Sequence, residues 1–166
     1  GIHLLQPKHQ AMMFVLFCSQ VLSQDYYRGL GAYKSEDFEV ALKEFRPLAK
    51  QGHMEAQKLL GLMYYLGKGN IPKDNVIAYN WFLLAAKQGN SLSQLTLGIM
   101  HFWGQSGVPQ DFTLAHMWQN LASFNGHSQG EFFRNSTAKR MSRSELNKAQ
   151  EMARECMKTN YKKCGY

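Results

Sequence analysis

The chain repeats itself every 37 residues. Leu60-Gly61 returns as Leu97-Gly98, and Gly67 as Gly104. Pro72, Asp74, Ala78, Trp81, Ala85 and Gly89 return as Pro109, Asp111, Ala115, Trp118, Ala122 and Gly126. One period upstream, Asp37, Ala41, Ala49 and Gly52 precede Asp74, Ala78, Ala86 and Gly89. A fixed period of this size describes stacked supersecondary units, each unable to bury its apolar face alone. Arrays of that kind serve as binding surfaces.

Each period divides into two helices. Ala56, Leu59, Leu60, Met63 and Tyr64 recur at helical spacing, and Gly67 stands where a left-handed residue would end the helix. Pro72 bars helix just before it. Asp74 is a suitable N-cap for a second helix that turns Ala78, Trp81, Phe82, Ala85 and Ala86 inward and stops by Gly89. The next unit repeats this: a helix to Trp103, a stop at Gly104, a cap at Asp111, and a helix through Trp118 to Ala122. Gly61 and Gly98 lie inside helices, at a cost of ~1 kcal/mol each relative to Ala. A cost paired in register implies close helix–helix approach, with Trp81 and Trp118 expected to fill the junction.

Upstream, Tyr26–Tyr33 and Ser35–Lys50 read as the helices of a degenerate unit, the second kinked at Pro47. Downstream, Ser142 and Glu145 form a capping box. Leu146, Ala149, Ala153, Cys156 and Met157 then line one face of a terminal helix, and Glu145, Lys148, Arg154, Glu155 and Lys158 the other. The expected architecture is all-α: a solenoid of antiparallel helix pairs with a C-terminal capping helix. The expected divisions are a half-unit at 25–52, repeats at 53–89 and 90–126, and a capping segment at 127–166.

At these residues the chain resembles the Sel1-like repeat family, relatives of the tetratricopeptide repeats. Ala56, Leu60, Gly61, Tyr64, Gly67, Gly69, Asp74, Ala78, Trp81, Ala85, Ala86 and Gly89 match its pattern. The following unit departs from it: Ser93 replaces Ala, His101 replaces Tyr and Ser123 replaces the second Ala. Phe38–Gly52 is similar to the half-unit that opens many bacterial members, and Met141–Cys164 to their C-terminal tail. The resemblance implies a protein-interaction adaptor or scaffold.

Composition fits a folded chain, with 45% hydrophobic and 13% aromatic residues. The formal charge of +7 is concentrated from Arg134 onward, where nine basic residues meet three acidic ones. A solvated helix face accounts for that excess. No base-reading motif accompanies it, so nucleic acid is not an expected partner.

Residues 1–23 have the layout of a secretory signal peptide. Lys8 and His9 precede the apolar run Ala11–Cys18, and Ser23 offers a small residue before a cut at Gln24. The run is shorter than the roughly 20 apolar residues of a membrane span. A buried N-terminal helix is the other reading, and translation from Met12 or Met13 would remove the basic region. Export to a bacterial periplasm or beyond is the expectation. In that setting Cys156 and Cys164 would be bonded, whereas in a reducing compartment they would be plain thiols.

Three kinds of site are conceivable. Lys58, Leu62 and Tyr65 lie at i, i+4 and i+7 of one first helix, and Leu95, Ile99 and Phe102 take the same positions one unit later. On the concave side of a curved stack, this stripe would hold a peptide or protein partner. Burial between units is the competing reading. Ser136-Thr137-Ala138-Lys139 spells the Ser-x-x-Lys of serine β-lactamases. Some cysteine-rich relatives have been linked to β-lactam binding or hydrolysis, so an envelope hydrolase or a binder of β-lactam or peptidoglycan-type ligands is the alternative. The companion Ser-Asp-Asn and Lys-Thr-Gly elements are missing, and no catalytic residue is assigned. The six histidines share no ligand spacing, so neither metal nor cofactor is expected, and His101 reads as a core histidine. Asn135-Ser136-Thr137 is a glycosylation sequon, relevant only in a eukaryotic secretory pathway.

Overall fold

The computed structural model describes residues 7–164; of residues 7–10 and 13–22 it describes the backbone only. Among the described residues there are eight helices and no strand. They are α1 (Pro7–Lys34), α2 (Phe38–Lys50), α3 (Met54–Leu66), α4 (Asn75–Ala86), α5 (Ser91–Trp103), α6 (Phe112–Phe124), α7 (Gly130–Ala138) and α8 (Arg143–Lys158). Successive helices pack on one another from α1 to α7, and α8 returns to pack on α6. The fold is an all-helical solenoid of helix pairs.

Helix boundaries follow from caps that recur with the period. Asp37, Asp74 and Asp111 accept from the backbone N–H of Val40, Ile77 and Leu114 at 3.2, 2.8 and 2.9 Å. The first helices are capped at equivalent positions by His53 Nδ1 and Asn90 Oδ1. Gly67 and Gly104 end α3 and α5 at φ of 64° and 63°, a left-handed backbone that favours glycine. Ser142 and Glu145 form the expected capping box on α8.

Several boundaries differ from the sequence reading. α1 is far longer than Tyr26–Tyr33, beginning at Pro7. Residues 1–6 of the expected export segment lie outside the described residues, and the remainder continues α1 as helical backbone. α2 starts at Phe38, because Asp37 caps it, and Pro47 lies inside it near the end. α6 runs two residues past Ala122 to Phe124. α7 is a helix that the apolar pattern does not announce.

Close helix approach at Gly61 and Gly98 is present, but the tryptophans do not supply it. A Cβ on Gly61 would lie 2.6 Å from the Phe82 ring, and one on Gly98 would lie 2.6 Å from Gln119 Cγ. Gly29 meets Phe45 in the same way at 2.7 Å. Phe45, Phe82 and Gln119 are one period apart, so a single register position carries the contact through three units. Trp81, one residue earlier, is only half-buried, while Trp118 is fully buried. The residue facing the glycine is set by how the second helix is rotated, which side-chain size alone does not report.

A ladder of buried amides also follows the period. Gln57 Nε2 donates to the Ala49 carbonyl and Gln94 Nε2 to the Ala86 carbonyl, each at 3.0 Å. Gln88 then donates to Gln57 Oε1 at 2.8 Å, and Asn125 to Gln94 Oε1 at 2.9 Å. The Tyr161 hydroxyl closes the series on Asn125 Oδ1 at 2.9 Å. These bonds satisfy helix-end carbonyls that the stacked units remove from water. Cys156 and Cys164, both buried, are joined by a disulfide that ties the tail to α8.

Candidate functional site

The first helices α3, α5 and α7 present equivalent positions to a common face. Stepping 37 residues from Leu95, Ile99 and Phe102 gives Phe132 and Ser136 on α7 and Lys139 just past its end. The stripe therefore has three members, and the Ser-x-x-Lys motif occupies two of its positions.

Each predicted contact residue has a definite setting. Lys58 is half-buried and ion-paired with Glu55. Leu62 and Tyr65 are half-buried against the core. The Tyr65 ring meets Phe82 edge-on at 6.1 Å, and its hydroxyl accepts from Gln105 Nε2 at 2.8 Å. Leu95 is 3% exposed and is itself core. Ile99 and Phe102 remain half-buried. They line a cleft of about 90 Å³ together with Trp103, Phe132, Phe133, Ser136 and Thr137.

Exposed rings rim this cleft. Trp103 is 66% exposed and Phe132 70%. Phe102 packs edge-on against Trp103 at 5.0 Å and Phe112 at 5.5 Å, while Phe132 and Phe133 are 5.5 Å apart. The Arg140 guanidinium lies 5.9 Å from the Phe102 ring centre. Single exposed apolar residues are ordinary, whereas a cluster of rings around a cleft is a candidate contact surface. The sequence reading stopped at Phe102. One more step of the period would have reached Phe132, although Trp103 and Phe133 fall outside the i, i+4, i+7 spacing.

Ser136 and Lys139 are both exposed at the end of α7, and no hydrogen bond joins them. Among the described residues no group of His, Cys, Asp or Glu is placed to hold a metal ion. His101 is buried, with Nε2 3.2 Å from the Tyr79 hydroxyl and Nδ1 3.2 Å from the Pro109 carbonyl. Burial pushes its pKa down, against a smaller upward pull from the Pro109 carbonyl. That is the satisfied core histidine expected from its place in the repeat. Among the described residues no helix is long and apolar enough to cross a membrane.

Comparison with known proteins bears on this architecture directly. The Sel1 repeat model matches residues 55–90 and 91–127. Among solved structures, the chain is similar to a protective antigen present in uropathogenic Escherichia coli strains, which displays an SLR fold. The two are 28% identical, with a TM-score of 0.76, over 84% of this chain and 31% of that one. The chain thus spans about a third of that protein's length. No curated protein matches it. Sel1 repeats generally build protein-interaction scaffolds. With two matched repeats, a shared fold and caps recurring in register, residues 55–127 form two Sel1 repeats within a fold similar to that of an SLR protein.

Proposed function

We propose that the protein is a non-catalytic scaffold that holds a peptide or protein partner on the face formed by α3, α5 and α7. The observation that carries this reading is the aromatic cleft at Ile99 and Phe102, rimmed by the exposed Trp103 and Phe132. Rings at the centre of a contact dominate binding because they bury large area at low entropic cost. Lys58, Leu62 and Tyr65 extend the same face one unit upstream, and Leu95 supports it from beneath. The Cys156–Cys164 disulfide favours an oxidising compartment, in keeping with a periplasmic or secreted protein.

The test is crosslinking and affinity capture of the tagged protein from its native host, with envelope and cytoplasmic fractions kept apart. One stoichiometric envelope partner is expected. Trp103→Ala and Phe132→Ala should each weaken its binding by about tenfold or more. Both side chains are mostly exposed, so the melting temperature should stay put. Failure to capture a partner, or capture indifferent to both substitutions, refutes the reading. Because Ser136 lines the same cleft, hydrolysis of a chromogenic β-lactam that stops on Ser136→Ala would replace the scaffold with the hydrolase.

A further inference from the structure

At its C-terminal end the repeat breaks, and the break opens a cleft. In the two full units the first helix packs on its own second helix, α3 on α4 and α5 on α6. α7 and α8 instead both pack on α6 and scarcely touch each other. Gly130 brings α7 close, since a Cβ there would run into the backbone of Ala122 and Ser123. The space left between α7 and α8 is about 490 Å³, within the range of small-ligand sites.

Its lining has one sign of charge. His116 and Asn120 come from α6, Arg134 and Asn135 from α7, Gln150 and Arg154 from α8, and no carboxylate joins them. Arg134 is held in a fixed orientation. Its Nη1 donates to Asn120 Oδ1 at 3.2 Å, and its Nε and Nη2 to Asn135 Oδ1 at 3.2 Å. A long ion pair to Glu131, outside the lining, completes its contacts at 3.4 Å. Arg154, on the opposite wall, is exposed and makes no hydrogen bond or ion pair among the described residues. Between them lies His116, 3% exposed, whose Nδ1 has no hydrogen-bond partner. A buried polar atom without a partner is costly and calls for one.

We infer that this cleft binds a small organic oxyanion, a carboxylate or a phosphate, clasped between Arg134 and Arg154 above His116. The Arg154 guanidinium can present two N–H groups to two oxygens of such a group at once, and Arg134, whose donors are largely taken by Asn120, Asn135 and Glu131, adds a fixed positive charge opposite it. Burial, and secondarily the Arg134 charge, push the His116 pKa down to about 4, so the ring is neutral at pH 7. In its Nδ1-protonated tautomer, and with a turn of the ring toward the cleft that it lines, it donates to the oxyanion without adding charge. The site is separate from the aromatic cleft, and the two succeed or fail independently.

Calorimetric titration of the whole protein tests it, with inorganic phosphate, with an N-acetylated dipeptide bearing a free carboxylate, and with the same dipeptide as its amide. Nitrogen shifts of the His116 imidazole are followed in parallel. Saturable binding of at least one oxyanion, with moved His116 resonances and no binding of the amide, is expected. Phosphate alone assigns a phosphorylated ligand, and the free dipeptide alone assigns a carboxylic acid. Arg154→Gln should weaken binding about tenfold. Arg143→Gln, exposed on α8 and outside the lining, should leave it unchanged. Lack of saturation by both oxyanions, equal binding of the amide, unmoved His116 resonances, or equal loss in the two variants overturns the inference.

Discussion

Replacing Gly98 with alanine tests whether helix contact, not helix propensity, controls the repeat junction. The added Cβ would stand 2.6 Å from Gln119 Cγ, 3.0 Å from the Ala115 carbonyl oxygen and 3.3 Å from the Gln119 backbone nitrogen. Gln119 is fully buried, and the other two atoms are backbone, so no flexible side-chain end can swing clear. α5 and α6 must part. Overpacking of this kind costs roughly 1–3 kcal/mol. Against it stands a gain of ~1 kcal/mol from replacing a helical glycine with alanine. Three close contacts, two of them to backbone, put Gly98 in the upper part of that range, so the net expectation is a loss of about 1–2 kcal/mol, or a fall in melting temperature of about 2–8 °C for a chain of this size. Gly31 supplies the control. It is exposed in α1, and a Cβ there would have no heavy atom within 4 Å. Gly31→Ala should therefore stabilise by up to ~1 kcal/mol, raising the midpoint by about 2–4 °C. The assay is thermal unfolding followed by far-ultraviolet circular dichroism. Gly98→Ala melting at or above the parent protein would refute the packing argument.

Three further outcomes follow from single contacts. Asp111→Ala removes the acceptor for the Leu114 N–H and should cost ~1 kcal/mol, read as a lower midpoint in urea or heat, while Asp111→Asn should retain most of it. Cys164→Ser opens the short loop to Cys156 and should cost about 2–3 kcal/mol; addition of a reductant to the parent protein should reproduce that loss, and a parent midpoint insensitive to reductant would exclude it. His116 sits at about 4 when folded, well below its ordinary 6.5, so the unfolded chain binds the extra proton first as pH falls. Its contribution is whole above pH 6.5 and drains away toward pH 4; His116→Asn should flatten the melting profile across that window, and an unchanged slope would count against it.

The elements legible in the sequence are those set by rules acting over a few residues. A cap needs an acceptor three residues before an N–H, so Asp74, Asp111 and Ser142 could be read directly. A left-handed stop needs a glycine, and Gly67 and Gly104 stand where the apolar run ends. Repetition then turned these local signals into an architecture, since every unit must bury the same face on its neighbour. The stripe of the candidate site was legible to the same extent: its spacing named Ile99 and Phe102, which line the aromatic cleft.

What escaped the sequence depends on how helices are rotated and which of them touch. The chain displays Trp81 and Phe82 side by side, and only the packing of α4 on α3 selects Phe82 for Gly61. Gln57 returns as Gln94 and Gln88 as Asn125, yet a glutamine in a helix reads as solvent-facing until a buried carbonyl is found beside it. α7 carries too weak an apolar pattern to announce a helix, because Gly130 and Thr137 are its only fully buried positions. Its docking on α6 beside α8, which creates the cleft around His116, joins residues from three helices. The sequence by itself thus determined the repeating helix pairs, their caps and the tail cysteines able to pair, because these are matters of spacing along the chain. Only the tertiary structure decided which side chains meet at the junctions and where clefts open, because those depend on distances between residues that the chain keeps far apart.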